Sequence, residues 1–177
     1  MRDASRAEPG DADGWLTLLV QSELDDLFRH VRVLYPLTDS SSLLHAVFAT
    51  ASSIGVAPDV GPRVWLRQLA RREVERASDD RARRRQAEAA ANGLRDAAQY
   101  GGGDADDLEA LIAALGKLDL DEQELLRLSS IEDLDDFELA WILDRDAAEV
   151  TEQLDAARIR LRAGLSGKSE RGRTGNG

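Results

Sequence analysis

The stretch DDFELAWILDRDAAEVTEQLDAARIRLRA, residues 135–163, decides how the second half of this chain folds. It contains two apolar patterns with helical spacing, separated by a polar turn of about three residues at 144–146. Ala140 is small where the two helices have to cross closely. The second pattern places Val150, Leu154, Ala157 and Leu161 on one helix face. This spacing predicts a helix-turn-helix, and a plain helical hairpin is the alternative.

The remaining segments also follow the helical period, and none shows the alternation that is typical of strands. In the second half, Asp121, Asp135 and Asp146 each stand three positions before a glutamate, which is the spacing of a capping box at a helix start. The predicted helices cover residues 15–34, 43–51, a stretch from 63 onward, 106–115, 121–129, 135–143 and 147–163. The sequence therefore predicts an all-α protein.

Charge is distributed unevenly along the chain. The 177 residues carry a net charge of −11, whereas residues 63–85 sum to +5 and residues 104–155 to −15. Different surfaces of this kind, with three glycines at 101–103 between them, predict two small helical domains joined by a linker. The predicted parts are a disordered N-terminus 1–13, a three-helix domain 14–85, a linker 86–105, a helix-turn-helix domain 106–165 and a disordered basic tail 166–177.

Composition argues against several kinds of site. The chain has no cysteine, and His30 and His45 are too far apart in sequence for a helical zinc motif, so we expect no metal and no cofactor. No isolated pair of carboxylates lies among apolar residues, so we expect no enzyme. The apolar-rich segment at residues 15–20 is too short to cross a bilayer. With a polar, acidic N-terminus, this predicts a cytoplasmic protein without a membrane partner.

Residues 114–165 resemble the fourth-region domain of extracytoplasmic-function (ECF) sigma factors, which belong to the sigma-70 family of RNA polymerase. The matching positions are Leu115, Leu118, Leu125, Leu128, Leu134, Glu138, Ala140, Leu143, Val150, Leu154, Ala157, Arg158, Leu161 and Arg162. The first half resembles the family's second region through LLHAVF (43–48) and VWLRQLARREVERA (64–77). Together the resemblance covers about residues 15–85 and 106–165. It implies a transcription initiation factor that binds the RNA polymerase core and promoter DNA.

The chain departs from the family on the positions that face DNA. Where the family's recognition helix opens with a Gly-Thr-Val-Lys-Ser-Arg type of run, residues 148–153 read AEVTEQ. Its first turns therefore present Glu149, Glu152 and Asp155, with no cation before Arg158. A carboxylate about 6 Å from a phosphate is repelled by about 0.7 kcal/mol even in bulk-like dielectric. We expect promoter binding to be weak or lost.

Two sets of residues are candidates for binding. The candidate DNA contacts are Arg67, Arg71, Arg72, Arg76, Thr151, Gln153, Arg158 and Arg160. The first four form a stripe along the third helix and, with Trp65, suit a single DNA strand; the alternative is a solvated face with internal Glu–Arg pairs involving Glu73 and Glu75. The candidate protein contacts are Leu43, Leu44, Val47 and Phe48 for the polymerase core, and Glu149, Glu152 and Asp155 for a basic partner. Trp141 and His45 are expected to be core residues, the latter partly buried.

Three hypotheses follow from the sequence. The first is a working but divergent sigma factor. The second is a sigma-like protein that no longer reads promoters and regulates transcription through protein contacts, with an anti-sigma factor or another basic regulator as its partner. The third is a purely structural helical module.

Overall fold

The computed structural model describes residues 9–101, 105–131 and 134–173, which form eight helices and no strand, so the all-α prediction is confirmed. The helices are α1 (Pro9–Leu34), α2 (Ser40–Ile54), α3 (Pro62–Ala77), α4 (Asp80–Gly101), α5 (Ala105–Leu115), α6 (Leu120–Ile131), α7 (Asp136–Leu143) and α8 (Ala147–Arg173). Within these ranges, the side chains of several residues near the helix ends are not described.

Local sequence signals explain several of the helix ends. The Asp39 carboxylate accepts a hydrogen bond from the Ser41 backbone N–H at the start of α2, and Gly55 ends that helix with φ 83°. Pro62 stands in the first turn of α3, where its missing N–H costs nothing. At α7, Asp135 and Glu138 form the reciprocal capping box that their spacing predicts.

Other boundaries differ from the predictions. Helix α1 begins at Pro9 and α8 extends to Arg173, so residues 9–13 and 166–173 are helical where disorder was expected. The helix is interrupted at residues 78–79. Ser78 adopts an extended backbone conformation, and the Asp79 carboxylate caps α4 by accepting a hydrogen bond from the Ala82 N–H. Residues 86–101 of the predicted linker belong to α4. The rest of these segments, 1–8, 102–104 and 174–177, lies outside the described residues.

The buried apolar side chains form one continuous core that includes residues from both halves of the chain. Helix α3 is central to it: Val64, Trp65, Leu66 and Ala70 are buried, and this helix packs on α1 and α2 from the first half and on α7 from the second. The division into two domains therefore stays a prediction. In the described residues, the buried side chains of the two halves belong to the same core.

The two helices and the turn predicted for residues 135–163 are present as α7, a turn and α8, and this unit, named the helix-turn-helix here, fits the plain helical hairpin equally well. The turn begins at Asp144, which adopts the left-handed conformation (φ 57°, ψ 46°) that aspartate tolerates better than most residues. Val150, Leu154 and Ala157 of α8 are buried as their spacing predicts, and Leu161 packs against the core while partly exposed. Further along α8, a Cβ on Gly164 would lie 3.1 Å from the Cβ of Ala114, so the helix passes close to α5.

Removing the capping box at α7 is expected to destabilise the protein measurably. Replacing Asp135 with alanine leaves the Glu138 N–H without its side-chain acceptor. We expect the free energy of unfolding to fall by about 0.5–2 kcal/mol in urea denaturation. Glu152→Ala, which removes an exposed carboxylate inside α8, is the control and should change little. Equal stability of both variants would contradict this role for Asp135.

Candidate nucleic-acid and protein interface

The predicted arginine stripe on α3 is not a single exposed face. Arg67 is 2% exposed and donates a hydrogen bond to the Arg63 carbonyl oxygen at 3.2 Å. Arg71 is 7% exposed and contacts Glu75 at 2.7 Å and Glu124 of α6 at 3.2 Å. These two arginines face the protein interior, so their guanidinium groups are covered where a DNA strand would have to reach them.

The other two arginines of the stripe are exposed and form ion pairs. Arg72 contacts Asp144 of the helix-turn-helix at 3.0 Å, and Arg76 contacts Glu73 at 2.5 Å. The Arg71–Glu75 and Arg76–Glu73 pairs confirm two of the internal Glu–Arg pairs that the sequence offered as the alternative to a DNA face. Trp65 is 3% exposed, so its ring has no open face on which a base could stack.

Several polar residues that the sequence analysis missed connect different helices, and two of these contacts, Gln68 with Trp141 and Arg83 with Asp121, join the two halves. The Gln68 amide donates to the Trp141 carbonyl oxygen at 2.7 Å, and Asp121 accepts from Arg83 at 2.5 Å and from Arg145 at 3.1 Å. Arg95 of α4 pairs with Glu109 of α5 at 2.8 Å. The partners are separated by up to 73 positions in sequence, and no local pattern indicates which charges meet.

Tyr35 and Glu124 form a buried polar cluster where the two halves meet. The Tyr35 hydroxyl lies 3.5 Å from the Glu124 carboxylate, which also accepts from Arg71. Burial first, and the negative charge of Glu124 second, raise the pKa of the Tyr35 phenol well above its usual range. The phenol is therefore neutral at physiological pH. A cavity of about 50 Å³ lies beside this cluster and is also lined by Arg127.

Acid is expected to weaken the cluster around Asp121. Burial alone raises the pKa of this carboxyl, but hydrogen bonds from Arg83 and Arg145 outweigh it and hold the pKa below the ordinary 3.8. A carboxyl with a lower pKa in the folded than in the unfolded protein stabilises the fold above its unfolded pKa, and this stabilisation is lost as pH falls through the folded pKa. Asp121→Asn should therefore be less stable than the wild type at neutral pH, and the difference should be smaller at a pH well below the ordinary carboxyl pKa of 3.8. An equal gap at both pH values in urea unfolding would contradict this.

The recognition helix exposes the acidic residues that the sequence places there. Glu149, Glu152 and Asp155 are all exposed on α8. Three of the four candidate DNA contacts of this helix touch another part of the chain: Thr151 donates to Asp136 at 2.7 Å, Gln153 accepts from Arg145 at 2.8 Å, and Arg160 pairs with Glu122. The fourth, Arg158, pairs within α8 with Asp155 at 3.5 Å. The exposed surface of the first turns of α8 is therefore negative.

The apolar side chains proposed to dock on the polymerase face inward. Leu43, Leu44 and Val47 are buried, and Phe48 is partly buried against the core. They are unavailable as a contact surface because α1 and α3 use this side of α2 for the core. Conversely, His45, expected to be partly buried, is exposed together with Ser41, Ser42, Ala49 and Ser52. Trp141 is partly buried against the core, in agreement with its predicted core position.

Neither a metal cluster nor a membrane-spanning helix is present within the described part of the chain. No group of three or more histidine, cysteine, aspartate or glutamate side chains is arranged to hold a metal ion there. In that described part of the chain, no helix is both long enough and apolar enough to cross a membrane.

Comparison with known proteins leaves the resemblance to sigma factors untested. No protein-family model matches the chain, and no curated protein is significantly similar to it. The resemblance to the sigma-70 family is carried by the sequence positions quoted above.

Proposed function

We propose that this chain is a non-enzymatic, cytoplasmic regulator of transcription, similar to ECF sigma factors, that works with the RNA polymerase core and has a weakened promoter-reading surface. The observation that carries this proposal is the helix-turn-helix of α7 and α8, in which the buried stripe Val150, Leu154 and Ala157 is kept while the outer face is acidic. A purely structural helical module, the third hypothesis, gives no reason for the family-like spacing of both halves.

The polymerase contact in this proposal lies on the exposed side of α2. This face carries no acidic or basic side chain besides one imidazole, and it is formed by Ser41, Ser42, His45, Ala49 and Ser52. Leu43, Leu44 and Val47 support it from beneath by anchoring α2 to the core. A face of hydroxyl and methyl groups without fixed charge favours docking by hydrogen bonds and close packing, which depends little on salt.

Transcription in vitro tests the sigma-factor role. Purified protein would be added to RNA polymerase core with a pool of genomic fragments from the host as templates, and transcripts would be mapped. Run-off transcripts that begin at defined sites only when the protein is present support the proposal. Absence of such transcripts across the pool, with a known sigma factor as the positive control, contradicts promoter-dependent initiation by this chain.

The acidic recognition face favours a second candidate function. In this version the protein binds no promoter and regulates transcription through a basic surface of an anti-sigma factor or another regulator. Exposed carboxylates at Glu149, Glu152 and Asp155 are complementary to such a surface, and complementary charge speeds the encounter of two proteins.

Reversing these three charges separates the two candidates. The triple variant Glu149→Lys, Glu152→Lys and Asp155→Lys should lose a partner that co-purifies with the wild type from host cells. The same variant should gain affinity for duplex DNA, and each new phosphate contact steepens the salt dependence of log K by about 0.9. The matched control reverses Asp25, Asp26 and Glu23 on α1. Unchanged partner binding in the α8 variant would contradict the second candidate.

A further inference from the structure

A large cleft lies between α4 and the segment formed by α5 and α6. Its volume is about 820 Å³, which is within the usual range for small-molecule sites. Two ion pairs join α4 to this segment. Arg83 contacts Asp121 of α6 at 2.5 Å, and Arg95 contacts Glu109 of α5 at 2.8 Å. The two arginines stand about 18 Å apart along the helix, at the usual rise of about 1.5 Å per residue.

The cleft is present because α4 contributes small side chains to it. Ala87 and Ala91 lie one turn apart on the face of α4 that lines the cleft. The lining from α5, α6 and the turn between them includes four aliphatic side chains, Ile112, Leu115, Leu118 and Leu120. Methyl side chains fill little of the space in front of these larger groups. The middle of the cleft therefore offers an apolar surface to a ligand.

Arg127 of α6 adds a positive charge to this apolar surface. It lines both the cleft and the small cavity beside Tyr35 and Glu124. Burial lowers the pKa of its guanidinium group, although Glu124 and Tyr35 act in the opposite direction, and an arginine is still cationic at physiological pH. Its Nε donates to the Gln123 carbonyl oxygen at 3.0 Å, and within the described residues its terminal nitrogens make no hydrogen bond or close ion pair. Most of its N–H donors are therefore left for a ligand.

The carboxylates that line the cleft have other partners or lie at its exposed edge. Asp121 accepts hydrogen bonds from two arginines, and Asp119 accepts one from a backbone N–H at the start of α6. Glu88 is exposed one turn after Arg84 on α4, where the two opposite charges favour each other. Inside the cleft, Arg127 is thus the cation that is available to a ligand.

We propose that this cleft binds a small organic acid with an apolar body, and that the carboxylate of this ligand contacts Arg127. A guanidinium and a carboxylate form two parallel hydrogen bonds, and such a pair is stronger where little water is present. The apolar body would contact Ala87, Ala91 and the aliphatic side chains, and its burial adds the hydrophobic part of the affinity. The inference is independent of the proposed function, since no residue that lines the cleft belongs to α2 or α8.

Isothermal titration calorimetry of the full chain with 2-naphthoate tests the site, because this probe combines an apolar ring system with one carboxylate. We expect saturable binding of 2-naphthoate and none of 2-naphthylmethylammonium, which has the same rings and the opposite charge. Arg127→Met keeps an apolar side chain of similar length and should weaken binding about tenfold or more, because a hydrogen bond to a charged group is lost. Arg29→Met removes the same charge from α1 and should keep the wild-type affinity. Absence of wild-type binding, equal binding of the two probes or equal losses in the two variants would overturn the assignment.

A second pair of variants tests the place of binding without changing any charge. Ala91→Trp fills the middle of the cleft and should abolish binding of 2-naphthoate. Ala113→Trp adds the same side chain at an exposed position of α5 that does not line the cleft, and it should bind the probe as the wild type does. Thermal unfolding without the probe shows that each variant is folded. Binding of 2-naphthoate to folded Ala91→Trp with the wild-type affinity would place the probe elsewhere and reject the cleft.

Discussion

Replacing Arg71 with alanine is expected to lower the free energy of unfolding by about 3–5 kcal/mol, among the largest effects of any charged residue here. Its side chain is 9% exposed and that of its partner Glu124 is 17% exposed. Removing the guanidinium leaves the Glu124 carboxylate beside the Tyr35 hydroxyl without its closest cation. A buried charge without its partner is costly, and this cost is the source of the expected loss.

Controls distinguish this effect from a general loss of surface charge. Arg72→Ala breaks a pair whose side chains are 44% and 72% exposed, and it should cost about 1 kcal/mol or less. The double variant Arg71→Met, Glu124→Leu removes both charges and should recover most of the stability lost in Arg71→Ala. Urea unfolding of the four proteins measures all of these differences. Similar stabilities for Arg71→Ala and Arg72→Ala would contradict the buried pair.

Replacing Leu154 with alanine is expected to cost about 2–5 kcal/mol of stability. Leu154 is 1% exposed and belongs to the buried side of α8, a helix that packs against α5, α6 and α7. The truncation leaves a cavity under the helix-turn-helix, and close-packed cores relax only partly around such a cavity. The effect should therefore appear both in the unfolding free energy and in a lowered melting temperature.

The matched control for this prediction is Ile159→Ala on the same helix. Ile159 is 64% exposed, so its truncation should change stability by no more than about 0.5 kcal/mol. If Ile159→Ala destabilised the protein as much as Leu154→Ala, the orientation of α8 would be wrong. The face of α8 described here as acidic and exposed would then be wrong as well.

The helices themselves could be predicted because the relevant signals are local. The apolar spacing of Val150, Leu154 and Ala157 and the capping box at Asp135 each involve residues within one or two helical turns. The start of α1 at Pro9 is not predictable from apolar spacing, because the segment that follows is polar and acidic and shows no helical apolar period. The position of Pro9 in the first turn of α1 is nevertheless one that proline favours.

The contacts between distant residues could not be predicted in the same way. Arg67 and Arg71 have the spacing of a surface stripe, yet they are buried because α3 is covered on several sides by α1, α2 and α7. Similarly, the apolar side of α2 is equally suited to the core of the protein or to the surface of a partner. Only its packing against α1 and α3 shows that it belongs to the core. The partners of Arg83 and Arg71 on α6 depend on long-range topology that periodicity does not contain.

Binding of the purified protein to RNA polymerase core, measured at physiological and at raised salt, tests the central proposal most directly. We predict binding that persists at raised salt, because the exposed face of α2 carries no fixed charge. The double variant His45→Glu, Ala49→Glu should abolish this binding, whereas Ser130→Glu, an exposed site on α6, should retain it. Absence of binding by the wild-type protein at both salt concentrations would contradict the proposal that this chain works with RNA polymerase.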